Sequence, residues 1–155
     1  MGMTLEGADA LRALLTQSGE RATKGVVEQM RKEAESIKKL AQKYAPVDHG
    51  NLEDAIKVEV LGGGRNARGQ FQRKAFEVFL DMNAKGYKGE SISTYAYRMH
   101  ELLLPYGAGG FNLGKKSRDK DAGQGIVGGR FLERATAEVS KGMMNRLIQV
   151  AASYF

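Results

Sequence analysis

Between Val26 and Tyr44 the chain places Val26, Met30, Ala34, Ile37, Ala41 and Tyr44 at steps of four, four, three, four and three, the spacing of one helix face. The opposite face carries Glu28 with Lys32 and Glu35 with Lys39, each acid one turn before its base, the order that favours a helix. A long helix from about Thr23 follows, with its apolar stripe in a core or at a subunit contact. Pro46 disfavours helical geometry at Ala45, so the helix ends at Tyr44 or Ala45. Ahead of it, Leu5, Ala8, Leu11, Leu14 and Leu15 predict a short first helix, with "TQSGER" as a break.

Past Pro46, the residues Asp48, His49 and Gly50 predict a turn, because Gly50 takes positive φ without steric cost. Asn51 is placed to cap a single helical turn, "LEDA". Pro46, Asp48 and Gly50 thus have a structural explanation that needs no catalysis. Two alternating stretches come next, Ile56, Val58 and Val60 against Lys57 and Glu59, then Phe76, Val78, Leu80 and Met82 against Glu77 and Asp81. Both predict half-buried strands, paired antiparallel. "STYAYRMHELLL" at 93–104 alternates Tyr95, Tyr97 and Met99 with Ala96, Arg98 and His100, which predicts a third strand. At the end of the chain Leu132, Ala135, Val139, Met143, Leu147 and Val150 mark one long amphipathic helix, in which Gly142 predicts a kink or a close contact.

The fold class is therefore α+β: a long N-terminal helix, a small antiparallel sheet of three or four strands with long loops, and a C-terminal helix. At 155 residues this is one domain with one modest core. No run is long and apolar enough for a membrane span, and the opening residues lack the plan of a signal peptide. With no cysteine in the chain, neither a disulfide framework nor a thiolate metal site is available, which points to folding in a reducing cytoplasm.

Candidate chemistry is sparse. "GGGRNARG" has neither the Lys-Ser/Thr of a phosphate-binding loop nor a helix after it to hold a phosphate. Neighbouring residues on a strand face opposite ways, so His100 and Glu101 would not share a ligand. His49 and His100, without cysteine or a helical His-Glu pair, predict no metal site. Ser91, Ser93 and Thr94 have no sequence-level base, and Glu53 and Asp54 sit on a small turn. No catalytic residue and no cofactor is predicted.

Two glycine-rich segments remain. The first, residues 61–74, carries Arg65, Arg68, Arg73 and Lys74 and predicts a long hairpin tip. The second, Gly107–Gly129, carries Lys115, Lys116, Arg118 and Lys120 among acids and predicts a surface excursion, either a solvated loop or a segment that orders against a partner. The net charge of +6 permits contact with nucleic acid or an acidic protein surface. Arg65, Arg68, Arg73, Lys74, Lys115, Lys116 and Arg118 are the predicted contact residues for a partner or for DNA.

The order of motifs resembles a family. "LEGADALRALL", a long helix ending in "AQKYAPVDHGNLEDAI", then "YAYRMHE", then "GGRFLERATAEV" look like the tail-completion or neck proteins of lambda-like long-tailed bacteriophages. The shared pattern falls on Ala45, Pro46, Asp48, Gly50, Leu52 and Ile56, then Tyr95, Ala96, His100 and Glu101, then Phe131, Leu132 and Ala135. The sequence departs from it at His49, where Thr is more usual, and in its long charged loop. The resemblance implies a structural virion protein between head connector and tail tube, made in the host cytoplasm and arranged as a six-fold ring around the DNA. It carries no catalytic residues. A ring fits the physical reading too, since a rigid core with extended basic loops can offer different surfaces to different neighbours. The competing reading is a free basic DNA-binding protein, for which affinity would fall steeply with salt.

Overall fold

A computed structural model describes residues 8–47, 51–64, 67–68, 73–97, 99–100 and 113–155. The chain runs through helix α1 (Ala8–Tyr44), the single turn α2 (Asn51–Asp54), strands β1 (Ile56–Leu61) and β2 (Ala75–Leu80), and helices α3 (Ser93–Tyr97), α4 (Lys115–Asp121), α5 (Phe131–Ser140) and α6 (Met143–Ala152).

Helix α1 has 37 residues, a rod of about 55 Å at 1.5 Å per residue. No break occurs at "TQSGER". One glycine costs a helix only about 1 kcal/mol, the segment has no proline, and the Thr23 hydroxyl bonds back to the Gly19 carbonyl at 2.8 Å. The far end stops at Tyr44, as Pro46 requires, with a last backbone bond from Ala45 N–H to the Ala41 carbonyl at 2.8 Å.

β1 and β2 form an antiparallel pair in the register Ile56 with Leu80, Val58 with Val78 and Val60 with Phe76. The predicted alternation is realised in part: Ile56 is buried and Val58 half-buried while Lys57 and Glu59 face solvent, but Val60 is exposed, β2 ends at Leu80 before Met82, and Phe79 on its other face is half-buried. Three or four strands were predicted; the described residues contain two, with only an isolated bridge between Lys85 and Ser91 beyond them. Of the segment read as the third strand, the described residues Ser93–Tyr97 are helical, and 98 and 101–104 lie outside the described residues. Ile92, Tyr95, Ala96 and Met99 all pack into or against the core, and i, i+3, i+4, i+7 is a helix face. Ser91 starts that turn: its hydroxyl accepts the Ser93 N–H at 3.3 Å and its carbonyl accepts the Thr94 N–H at 3.2 Å. Likewise Asn51 is the first residue of α2 and not the cap before it, its carbonyl accepting the Ala55 N–H at 3.1 Å.

The single C-terminal helix is instead two. The chain breaks at Lys141 and Gly142, where Gly142 takes φ 75° in the left-handed region. Glycine alone reaches that conformation without a steric penalty. The break re-aims α6 so that both α5 and α6 lie along α1, running back from Tyr44 toward its N-terminus. Arg146 secures it, donating to the Val139 carbonyl at 2.8 Å and the Lys141 carbonyl at 3.1 Å, and to both Glu33 carboxylate oxygens on α1 at 2.7 Å. Further along, the Tyr154 ring occupies the space a Cβ on Gly25 would need.

The buried residues gather at the C-terminal end of α1. Phe131, Ile56 and Ile92 are the largest side chains fully removed from solvent. Around them Ala41, Ala45, Ala55, Ala96 and Ala135 let the backbones approach closely. Among the described residues no helix is long and apolar enough to cross a membrane.

Candidate interaction surfaces

Helix α4 is where the second glycine-rich segment differs most from its prediction. Residues 101–112 lie outside the described part, but 113–129 is an anchored helix and turn, not a solvated loop. The Ser117 hydroxyl accepts the Val47 N–H and donates to the Val47 carbonyl, both at 2.8 Å. Lys120 donates to the Gln42 carbonyl at 2.5 Å, to the Ala45 carbonyl at 2.8 Å, and to the Glu53 carboxylate. The reason lies in the sequence: Pro46 has no N–H to offer the Gln42 carbonyl four residues back, so the end of α1 needs an outside donor. Lys120 supplies it and brings charge to the negative end of the helix dipole.

Asp121 closes the other side. Its carboxylate accepts the backbone N–H groups of Gly125, Ile126 and Val127 at 2.7, 2.6 and 2.8 Å. The Val127 bond, then those of Gly125 and Ile126 with the Arg134 charge, hold its pKa below the usual carboxylate range against the opposing effect of burial. This turn packs Val127, Gly128 and Gly129 into the interior, with Gly128 N–H bonded to the Tyr44 carbonyl at 2.9 Å. Beside it the Arg134 guanidinium stacks 4.6 Å from the Tyr44 ring centroid and donates to the Ile126 carbonyl at 2.7 Å. The Tyr44 hydroxyl donates to Glu138 at 2.5 Å. Burial first, then that bond, raise the Tyr44 pKa.

Lys115, Lys116 and Arg118 stand exposed on this fixed platform. At the hairpin Arg68, Arg73 and Lys74 are exposed, and Arg65 lies outside the described residues. Lys74 lays its stem over Gly63, whose φ of 87° turns the chain there. It also borders a cleft of about 300 Å³ between α1 and the sheet, lined with Val27, Glu28, Arg31, Glu35 and Val60. The two basic groups are not brought together. Lys74 borders α1 at Arg31, whereas Lys120 anchors α4 at Gln42, eleven residues or about 17 Å along the helix axis.

Of the predicted turn, Pro46 is buried, and Asp48, His49 and Gly50 lie outside the described residues. His100 is half-buried with its ring edge-on to Phe131, centroids 5.0 Å apart, and its carbonyl accepts the Arg130 N–H at 2.6 Å. Glu101 lies outside the described residues. No group of three or more His, Asp or Glu among the described residues is placed to hold a metal ion. Lys120 and Asp121 were read from sequence only as part of a charged surface segment, and Arg134 and the Glu33–Arg146 pair were not singled out. Only Asp121 had a local signal there, an acid followed closely by Gly123 and Gly125.

What these surfaces define is a mixed helix-and-sheet protein with a buried core and two exposed basic groups among the described residues. No family model, curated protein or solved structure matches the chain.

Proposed function

We propose that this chain is a structural subunit of a phage neck, completing the tail and joining it to the head connector as part of a ring around the DNA passage. One observation supports the reading: six of the thirteen residues that bear the resemblance pack together. Ala45, Leu52, Ile56, Ala96, Phe131 and Ala135 come from separate stretches of sequence and meet in one buried cluster. A pattern made of core residues specifies a scaffold, and function then resides in what the scaffold displays. Here it displays Arg68, Arg73 and Lys74 on the hairpin and Lys115, Lys116 and Arg118 on α4, fit for two different neighbours in an assembly. Free DNA binding draws less support, because the two groups are separated along α1 and Glu28 and Glu35 share the cleft beside the hairpin.

The test is electron microscopy of a lysate from phage whose copy of this gene carries an early stop codon. DNA-filled heads beside unattached or abnormally long tails are the expected result. Normal, infectious particles would refute the reading and make a salt titration of binding to random duplex DNA the next measurement.

A further inference from the structure

The break between α5 and α6 sets local sequence against tertiary structure. Leu132, Ala135, Val139, Met143, Leu147 and Val150 keep one helical stripe across it, at steps of three, four, four, four and three. All of them are buried or half-buried, so the phase of the stripe is the same on both sides. Neither Ser140 nor Lys141 has to end a helix, and only Gly142 is a poor helix former. The stripe suits an unbroken helix over 131–152, yet the chain interrupts it with Gly142 in the left-handed region.

Breaking the helix leaves carbonyl groups that an unbroken one would pair. The Val139 and Lys141 carbonyls would accept the Met143 and Asn145 N–H groups, four residues on. At the break the Arg146 guanidinium donates to both instead. What keeps α6 down is a short set of contacts on α1. None of its residues is fully buried, and none belongs to the buried cluster around Phe131. Arg146 grips Glu33 through both carboxylate oxygens, the Tyr154 ring sits on Gly25, and Met143, Leu147 and Val150 are half-buried.

We propose that α5 and α6 straighten about Lys141 and Gly142 and that α6 exchanges between two copies of the chain. In the exchanged pair each α6 lies on the α1 of the other copy, with Arg146 on Glu33 and Tyr154 on Gly25 of that copy. The occupant of this strip of α1 is the one the structure already seats there, and every copy carries both the strip and the helix. The contacts are those of the closed monomer, so exchange creates no new interface there, and the hinge and the concentration set its balance. At the hinge an unbroken helix recovers the backbone bonds that the break forgoes. Exchange is reciprocal, so the contact is isologous and closes at two copies. Nothing in it depends on a place in a phage particle.

Sedimentation velocity of the purified full chain, wild type against Gly142→Ala, tests the exchange. A Cβ at φ 75° is strained in the break, where it also meets Arg146 Nη1 at 3.3 Å, and unstrained in a continuous helix. In the dilute monomer the substitution only costs stability. As concentration rises the variant should dimerise, with a dissociation constant about thirtyfold or more below that of the wild type, because the strain is relieved at two hinges. Helix content per chain, by far-UV circular dichroism, should rise with the dimer. A Gly142→Ala protein that stays monomeric at every concentration overturns the proposal. Charge reversal then identifies the contact. In the Gly142→Ala background, Glu33→Arg and Arg146→Glu each set like charges together, so each should dimerise weakly alone. Mixed in equal amounts they should pair, because every α6 then meets the opposite charge on the other copy. A reversal that unfolds alone should refold on mixing. Mixing that changes neither sedimentation nor spectrum would mean that any dimer forms elsewhere, and overturns the exchange.

Discussion

Replacing Lys120 by Met removes the ammonium group and keeps most of the stem. In the folded protein that group bonds to the Gln42 and Ala45 carbonyls and to Glu53. Hydrogen bonds to a charged group contribute about 1.5–3 kcal/mol each. Ala45 is fully buried, so its carbonyl would be left without its donor. The Glu53 pair is partly exposed, with side chains 23% and 26% accessible, and adds no more than about 1 kcal/mol. Taken together, and allowing for partial replacement by water at Gln42, the loss is about 3 kcal/mol. For a chain of this size each kcal/mol moves the melting point by about 2–4 °C, so Tm should fall by about 6–12 °C. Urea denaturation followed by far-UV circular dichroism measures the same quantity as a shift in midpoint at unchanged slope. Glu53→Gln should cost only about 0.5–1 kcal/mol by the same measurement. If Lys120→Met stays within about 0.5 kcal/mol of wild type, the idea that Lys120 substitutes for the N–H missing at Pro46 is wrong. The platform that presents Lys115, Lys116 and Arg118 would then have to be held by Ser117 and Asp121 alone.

Two further predictions concern the acid limb and the helix break. Asp121 and Glu33 both have pKa values held below their ordinary range, Asp121 first by the Val127 N–H and Glu33 first by Arg146. A depressed folded-state pKa stabilises the protein above the unfolded value near pH 4, and that stabilisation is lost as pH falls through the folded value. Stability should therefore be flat above about pH 5 and drop below it, and the double variant Asp121→Asn with Glu33→Gln should be less stable at pH 7 with a shallower acid limb. Glycine replacements should give opposite signs inside α1 and at the break between α5 and α6. Gly19→Ala, where nothing crowds a new Cβ, should stabilise by about 0.5–1 kcal/mol, and Gly142→Ala, at φ 75°, should destabilise by about 1–2 kcal/mol. A stabilising Gly142→Ala, measured by the same urea titration, would mean that α5 and α6 are continuous in solution.

Several elements were legible because their causes are local. The stripe from Val26 to Tyr44, the stop before Pro46 and the alternation in β1 and β2 follow from side-chain period and from proline's missing N–H, which no tertiary contact can change. The helical quartet Ile92, Tyr95, Ala96 and Met99 was equally present in the sequence, but β-prone tyrosines at alternate positions hid it. Burial decided in favour of the period that fills the core.

Other features had no local cause to find. "TQSGER" holds residues that suit a break as well as a helix, and the continuity of α1 settles which is used. Glycine at 142 signals a departure from regular helix, yet whether the chain bends or breaks depends on Arg146 reaching Glu33, 113 positions earlier. The same holds for the charged segment around α4. Composition alone makes it a solvated loop; Lys120 and Asp121 become structural only because the fold brings the carbonyl-rich end of α1 and the 125–127 backbone within hydrogen-bonding reach. Sequence by itself thus determined the helical and strand periods and the helix stop. Tertiary structure alone decided which polar side chains are anchors and which remain free to meet a partner, because that depends on groups far apart in the chain satisfying one another away from water.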